Sequence, residues 1–378
     1  MCMWPNDRLI NLFDIELPII QAPMAGSAFS DMVVAVSEAG GLGSLACALL
    51  SVEQARRELA TIRRKTSRPI NVNFFCHQQP RGDPALEMNW RRRLEAYYVQ
   101  MGLDDSAAVL SSNRVPFDDK MCDLVLEFHP EVVSFHFGLP DKDLLARIRR
   151  TGAKIISSAT SVDEVRWLED QGCDAIVAQG YEAGGHRGMF LTQSVFTQVG
   201  TMALVPQVVD AVRVPVIAAG GIADARGIVA AFALGAAAVQ IGTAYLPCPE
   251  AQISPIYRQA LKEAKDDETA ITNVFTGRPA RGIVNRLMRE VGPMCDVAPE
   301  FPLAAGAVAP LRAKSEAAGS ADFTPLWAGQ AVCLNRTLSA AELTKQLAAE
   351  TLEKFRFLQT RASPDVLAQA AVLATVGR

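Results

Sequence analysis

Ala175-Ile-Val-Ala-Gln-Gly-Tyr-Glu-Ala-Gly-Gly-His-Arg-Gly188 joins an apolar, strand-like run to a glycine-rich turn that carries a histidine. A short, nearly unbroken apolar run reads as a strand buried on both faces. Gly184, Gly185 and Gly188 permit backbone angles closed to residues with a Cβ, and they let peptide N–H groups approach an anionic ligand. His186, with an ordinary pKa of about 6.5, is the group in this turn able to exchange a proton near neutral pH. A lone histidine of this kind is as readily a satisfied loop residue, so the rest of the chain decides its role.

Working outward, runs of the same character recur at 18–24, 41–46, 69–75, 132–138, 153–159, 174–180, 215–221 and 237–243. Between them lie amphipathic segments at 31–38, 52–65, 142–150, 162–170, 202–212 and 225–234, with Ser51, Ser161 and Asp224 at N-cap positions. Eight buried strands alternating with helices predict a (β/α)8 TIM barrel of the α/β class, with a doubly wound open sheet as the alternative. The 76–131 gap is too long for one crossover and is expected to hold helices near 88–100 and 118–128.

After Thr243 this rhythm stops. Residues 244–330, with an Ala/Gly/Pro-rich stretch at 302–319, read as a smaller inserted, α-rich cap domain. Residues 1–243 and 331–378 then form the barrel, whose last helix is expected at 339–358 with a Ser339–Glu342 capping box. The segment 363–378 is helix-compatible.

The 378 residues, 49% hydrophobic and 21% charged, are enough for a large core, and a net charge of -4 gives no electrostatic case for nucleic acid or an anionic membrane. No secretion signal or spanning helix is visible, which points to a cytoplasmic protein. Eight cysteines without a Cys-x-x-Cys pair argue against a metal site and fit reduced thiols. Monomer and homodimer both remain open.

Side chains alternate across a strand. On one parity this reading places Gln21, Asn71 and Asn73, Ser134 and His136, Ser157, Gln179 and Gln240 toward the barrel interior, with Ile20, Val72, Phe135, Ile156, Ala178 and Ile241 toward the helices. Converging amides and hydroxyls need partners, and a polar planar ligand over the C-terminal mouth would supply them. Ala218-Ala-Gly-Gly-Ile222 and Gln240-Ile-Gly-Thr243 offer bare backbone N–H groups at the last two strands, where this fold commonly binds phosphate. Gly41-Leu-Gly-Ser-Leu-Ala46 matches G-x-G-x-x-A, but a helix precedes it and a strand follows, the reverse of a dinucleotide site. His77 reads as a loop residue and His129, before Pro130, as structural.

Four motifs, Gln21-Ala-Pro-Met-Ala-Gly26, Gln179-Gly-Tyr-Glu-Ala-Gly-Gly-His-Arg-Gly188, Ala218-Ala-Gly-Gly-Ile222 and Gln240-Ile-Gly-Thr243, closely resemble the class I branch of the nitronate monooxygenase family. The likeness extends through Ser134-Phe-His-Phe-Gly138, Phe275-Thr-Gly-Arg-Pro-Ala-Arg281 and Leu326-Trp-Ala-Gly-Gln330. It implies an FMN-dependent barrel that oxidises alkyl nitronates, such as propionate 3-nitronate, with O2 to a carbonyl compound plus nitrite or nitrate, without NAD(P)H. By the same resemblance FMN is held by Met24, Asn71, Gln179, Gly184, Gly221, Gln240, Ile241, Gly242 and Thr243. His186 matches the catalytic histidine, and His136 and Tyr257 the substrate pocket, while Phe301 stands where relatives lead one to expect a tyrosine. The rival expectation is an NAD(P)H-dependent flavin reductase of the same barrel superfamily, acting on a quinone or an enoyl thioester.

Overall fold

The computed structural model describes residues 4–104 and 114–361. Its strands are β1 (Ile19–Gln21), β2 (Gly43–Ala46), β3 (Ile70–Phe75), β4 (Val132–His136), β5 (Lys154–Ala159), β6 (Ala175–Gln179), β7 (Gly185–His186), β8 (Val216–Ala219), β9 (Ala238–Ile241), β10 (Thr269–Thr272) and β11 (Ala280–Ile283). Eight of them pair in parallel in the order β1-β9-β8-β6-β5-β4-β3-β2, and an Ile20–Leu42 bridge joins the two ends into a closed barrel. Every apolar run expected to be a strand is one of these eight, and closure decides against the open sheet.

The seam between β1 and β2 is thin, resting on Leu42 N to Ile19 O and Gln21 N to Leu42 O, each 3.0 Å. The Gln21 side chain reinforces it, because its Oε1 accepts from the Ser44 backbone N–H at 2.8 Å.

Two apolar layers follow from strand alternation. Ile20, Leu42, Val132, Ile156, Val177 and Ile217 fill the barrel interior, and Leu9 and Phe13 of the helix Arg8–Phe13 join them. Val72, Phe135, Ala178 and Ile241 face the helices. Two expectations of inward polarity are thereby corrected. Gln21 serves the seam, and Ser157 turns away from the interior to donate to the Phe135 and Gly138 carbonyls at 3.1 and 2.8 Å. In Lys154-Ile-Ile-Ser-Ser-Ala159 the isoleucines and the serines each come as an adjacent pair, so either parity fits the pattern; packing puts Ile156 and Ser158 inside.

The helices are capped as their sequences suggest: Ser51 closes a capping box with Gln54, Ser161 accepts from Glu164 N–H, and Asp224 from Arg226 and Gly227 N–H. The helix Ala340–Arg361 buries Leu343 and Leu347 against the barrel shell. The segment 363–378 lies outside the described residues.

A second core joins the helix Pro84–Met101 to residues after β9: Trp90, Leu94, Tyr97 and Tyr98 pack with Phe275, Leu287, Leu311 and Phe323. Trp90 Nε1 donates to Ala304 O at 3.1 Å and Tyr98 Oη to Ala307 O at 2.6 Å, both on the helix Ala304–Ala317. The small residues of that alanine-rich stretch let the two large rings approach its backbone. Here, too, lies an antiparallel sheet in the order β10-β11-β7, in which β7, split off from the turn after β6, pairs His186 with Ala280 and Gly185 with Arg281.

Candidate active site

The C-terminal ends of the barrel strands open into a cavity of about 340 Å³, roofed by the residues after β9. Of the expected site residues, Met24, Gln179, Gly184, Gly221, Gln240, Gly242 and Thr243 line it, as do His136, His186 and Tyr257. Asn71 and Ile241 do not. Ile241 packs toward the helices. Asn71 is fully buried outside the lining, its Nδ2 donating to Ser44 Oγ at 3.0 Å and its Oδ1 without a partner among the described residues, while Asn73, two residues further along β3, reaches the wall.

His186 is positioned from two sides. Its backbone pairs with β11, and its Nε2 lies 3.0 Å from Thr276 Oγ1. Its carbonyl oxygen accepts from His136 Nε2 at 3.1 Å and Gln179 Nε2 at 3.0 Å. Gln179 Oε1 accepts from Gly188 N–H at 2.7 Å, so this amide clasps both ends of the turn. Nδ1 of His186 is the ring nitrogen left to the cavity. With the Thr276 hydroxyl turned to the Arg278 carbonyl, 3.5 Å away, Nδ1 presents a lone pair to the cavity; with it turned to Nε2, 3.0 Å away, Nδ1 presents an N–H instead, so the ring can serve as acceptor or donor.

Burial holds the His186 pKa well below its ordinary value, and Arg114, His136, Arg278 and His77 push it the same way. The ring is therefore a neutral imidazole at neutral pH. His136 is likewise held down, to about 3, chiefly by burial. An aromatic wall encloses His186: Phe301 and Trp327 at 5.3 and 5.4 Å, Phe75 and Phe137 both at 6.1 Å between ring centroids. Tyr257 contributes its ring, since its hydroxyl donates to Trp327 O at 2.5 Å.

The opposite, barrel side is bare backbone. Gly221 has φ +70, open to glycine at low cost, at the end of β8. Gly184 is pressed against the segment after Trp327, where a Cβ would stand 2.6 Å from Gly329 N. Thr243 Oγ1 accepts from that same N–H at 2.9 Å. The Gln240 amide has no hydrogen-bond partner among the described residues. Exposed backbone at two strand ends, an amide directed at the cavity and an apolar floor of Ala219 and Val177 fit a phosphate-bearing planar cofactor.

Sequence reasoning did not single out Thr276, Ser158, Trp327, Arg114 or Arg312, all of which line the cavity or hold its histidines. Thr276 and Trp327 lie inside motifs that had been noted, so the signal was present without a role attached.

The sequence profile of the nitronate monooxygenase family matches residues 6–350. Among individual proteins, the chain is 41% identical over 348 residues to a nitronate monooxygenase of Pseudomonas aeruginosa, covering 91% of this chain and 99% of that one. It is 40% identical over 354 residues to one of Paraburkholderia phytofirmans, covering 93% and 96%. In structure it resembles a nitroalkane oxidase from Streptomyces ansochromogenes, with a TM-score of 0.84 at 37% identity over 93% of this chain and 99% of that one. FabK from Thermotoga maritima follows at 0.71 and 28%, covering 93% and 98%.

Proposed function

The chain belongs to the nitronate monooxygenase family, and from that premise we propose that it oxidises alkyl nitronates with O2 on a bound FMN, releasing a carbonyl compound and nitrite or nitrate without NAD(P)H. The observation that carries this reading is the meeting, in one cavity, of a neutral His186 and the bare strand ends of β8 and β9.

FMN would be held by Met24, Gly184, Gly221, Gln240, Gly242 and Thr243, with Gln179 shaping the turn and Asn71 and Ile241 supporting from outside the wall. When bound, it supplies the electron transfer between nitronate and oxygen. The rest falls to the protein. The aromatic wall excludes water and leaves the substrate's charge to be met by His186 and the arginines of the cavity. Nδ1 of His186 accepts the proton α to the nitro group when the substrate arrives as a neutral nitroalkane. His136 and Tyr257 bound the substrate space with ring carbons, because their polar atoms are engaged with protein.

We further assign residues 244–330, together with the helix Pro84–Met101 that shares their core, as the cap over a barrel of residues 1–243 and 331–378. A cytoplasmic setting is supported by the seven free thiols among the described residues, none of whose helices is long and apolar enough to cross a membrane.

The test is oxygen uptake by the FMN-loaded protein with propionate 3-nitronate as sole reductant. Saturable uptake with nitrite release is expected. Absent uptake with FMN bound, and bleaching of the flavin by NADH, would transfer the assignment to an NAD(P)H-dependent reductase.

A further inference from the structure

Phe137, directly after β4, holds φ at +71, a left-handed conformation that is a clear outlier for a bulky residue. Such strain persists where the surroundings over-determine it, and it gathers at functional sites. Among the groups packed on the Phe137 ring, including Phe75 and His136, is Arg278. Its guanidinium lies 3.8 Å from the centroid of the Phe137 ring, a close cation–π stack. Its Nη2 donates to the Met189 carbonyl, three residues past His186. Its own carbonyl lies 3.5 Å from Thr276 Oγ1, the atom that meets His186 Nε2.

Arg278, on the hairpin leading into β11, thus links three of the pieces around His186: that hairpin, the end of β4 and the turn after β7. Phe137 transmits the contact, since its ring stands 4.5 Å from that of His136 and 6.1 Å from that of His186. We propose that Arg278 is a positioning residue for His186, locking the strained end of β4 and the glycine-rich turn into one wall and placing a fixed cation beside the imidazole.

The electrostatic side of the proposal has a defined sign. The charged or titratable groups that act on His186 are Arg114, His136, Arg278 and His77, and each lowers its pKa. Removing one cation therefore lets the ring take a proton at higher pH. Arg278 is itself strongly buried, its pKa drawn down to about 10 by desolvation, and it stays charged throughout the working range. Its Nε is buried without a partner among the described residues, a cost consistent with a side chain retained for where it places its charge.

The inference rests on the reading of His186 as the proton-handling group, so its test is independent of turnover. The chain has only four histidines, which makes ¹³Cε1-histidine NMR assignable by single substitution, with His129, at the far cap of the helix Asp119–Phe128, as internal control. In Arg278→Gln the His186 resonance is expected to move and to titrate at higher pH than in the wild type, while His129 stays put. Arg278→Lys keeps the cation but not the planar stack, so the resonance moves and the titration does not. With nitronate, kcat/KM should fall at least tenfold in Arg278→Gln and recover in part in Arg278→Lys.

A His186 resonance and titration that superimpose on the wild type in folded Arg278→Gln would overturn the proposal. Should that variant fail to fold by circular dichroism, an unmoved His186 resonance in Arg278→Lys would do the same. Loss of all nitronate turnover in the wild type, with the NMR pattern as expected, would overturn the assigned reaction and leave the positioning role standing.

Discussion

The ring of His136 is strung between two partners, Ser158 Oγ at 2.6 Å from Nδ1 and the His186 carbonyl oxygen at 3.1 Å from Nε2. A carbonyl only accepts, so Nε2 bears the proton and Nδ1 accepts from the serine hydroxyl. The histidine that lines the cavity is therefore also a strut for the one beside it. Its neutrality is part of that role, because a proton on Nδ1 would compete with the hydroxyl's donation.

Acid should weaken the fold through this strut. The unfolded His136 titrates at about 6.5, whereas burial holds the folded one at about 3. Between those values the unfolded chain binds a proton that the folded chain refuses. Its stabilising effect is complete above about pH 6.5 and declines as pH falls toward 3, by at most about 1.4 kcal/mol per pH unit. Thermal melts from pH 8 to 4.5 should show a level Tm above pH 6.5 and a decline below. His136→Gln should decline less steeply; identical slopes for the two proteins would refute the assignment.

His77 presents the opposite case, a buried histidine whose ring nitrogens have no hydrogen-bond partner of standard geometry among the described residues. Burial draws its pKa down to about 4, against an opposing pull from the Arg114 backbone. Its ring sits edge-on to Phe301 at 4.8 Å between centroids. His77→Phe keeps the ring contact and removes two unsatisfied polar atoms, so it should stabilise by about 1–3 kcal/mol. Urea unfolding at pH 7 measures this, and a lowered midpoint would mean that the ring nitrogens have partners in solution.

His186→Asn separates the two duties of the imidazole. Asparagine can still donate a hydrogen bond to nitronate oxygens, but it cannot take a proton. Turnover of a neutral nitroalkane should drop by about 10²–10⁴-fold, with a much smaller loss on the preformed nitronate. Equal losses on both substrates would remove the base assignment.

The barrel was legible because buried parallel strands leave near-continuous apolar runs, and all eight were read in place. Parity was less secure. It holds for Asn73, Ser134 and His136, where polar and apolar types alternate, and it fails in β5, where Ile155-Ile156 and Ser157-Ser158 offer both phases. Gln21 misled because its amide belongs to the barrel seam, a need set by ladder geometry between β1 and β2 that no local pattern announces. Thr276 and His186 are ninety residues apart. Their contact depends on β7 leaving the barrel to pair with β11, a two-residue strand too short to read from periodicity.

Gly184→Ala should release the cofactor. The new methyl would stand 2.6 Å from Gly329 N and 2.7 Å from the Ala328 carbonyl carbon, backbone atoms that cannot swing aside. That segment is fastened to the barrel mouth through Gly329 N to Thr243 Oγ1 at 2.9 Å and Gln330 N to Glu182 O at 3.0 Å. Displacing it disturbs Thr243, an expected FMN contact, at a cost of about 1–3 kcal/mol in overpacking. The flavin-to-protein absorbance ratio after gel filtration should fall; full retention of flavin would place the FMN away from this turn.

Arg312 should decide which nitronates are taken. It lines the cavity, and its hydrogen bonding among the described residues is limited to Nε on Glu316 Oε1 at 2.7 Å. Arg114 lines the same cavity, its pKa drawn down to about 10 by burial and then by Arg312, which marks the two as near neighbours. No acidic residue stands among the described lining. A nitronate alone brings one negative charge, and a carboxylate tail would meet the second cation. Arg312→Gln should therefore raise KM for propionate 3-nitronate about tenfold, the effect of losing one modest charge-assisted hydrogen bond. KM for ethyl nitronate and the flavin content should hardly change. An equal rise for both nitronates would show that Arg312 reads the nitro group or shapes the cap, and loss of flavin would place the phosphate on the arginine side of the cavity.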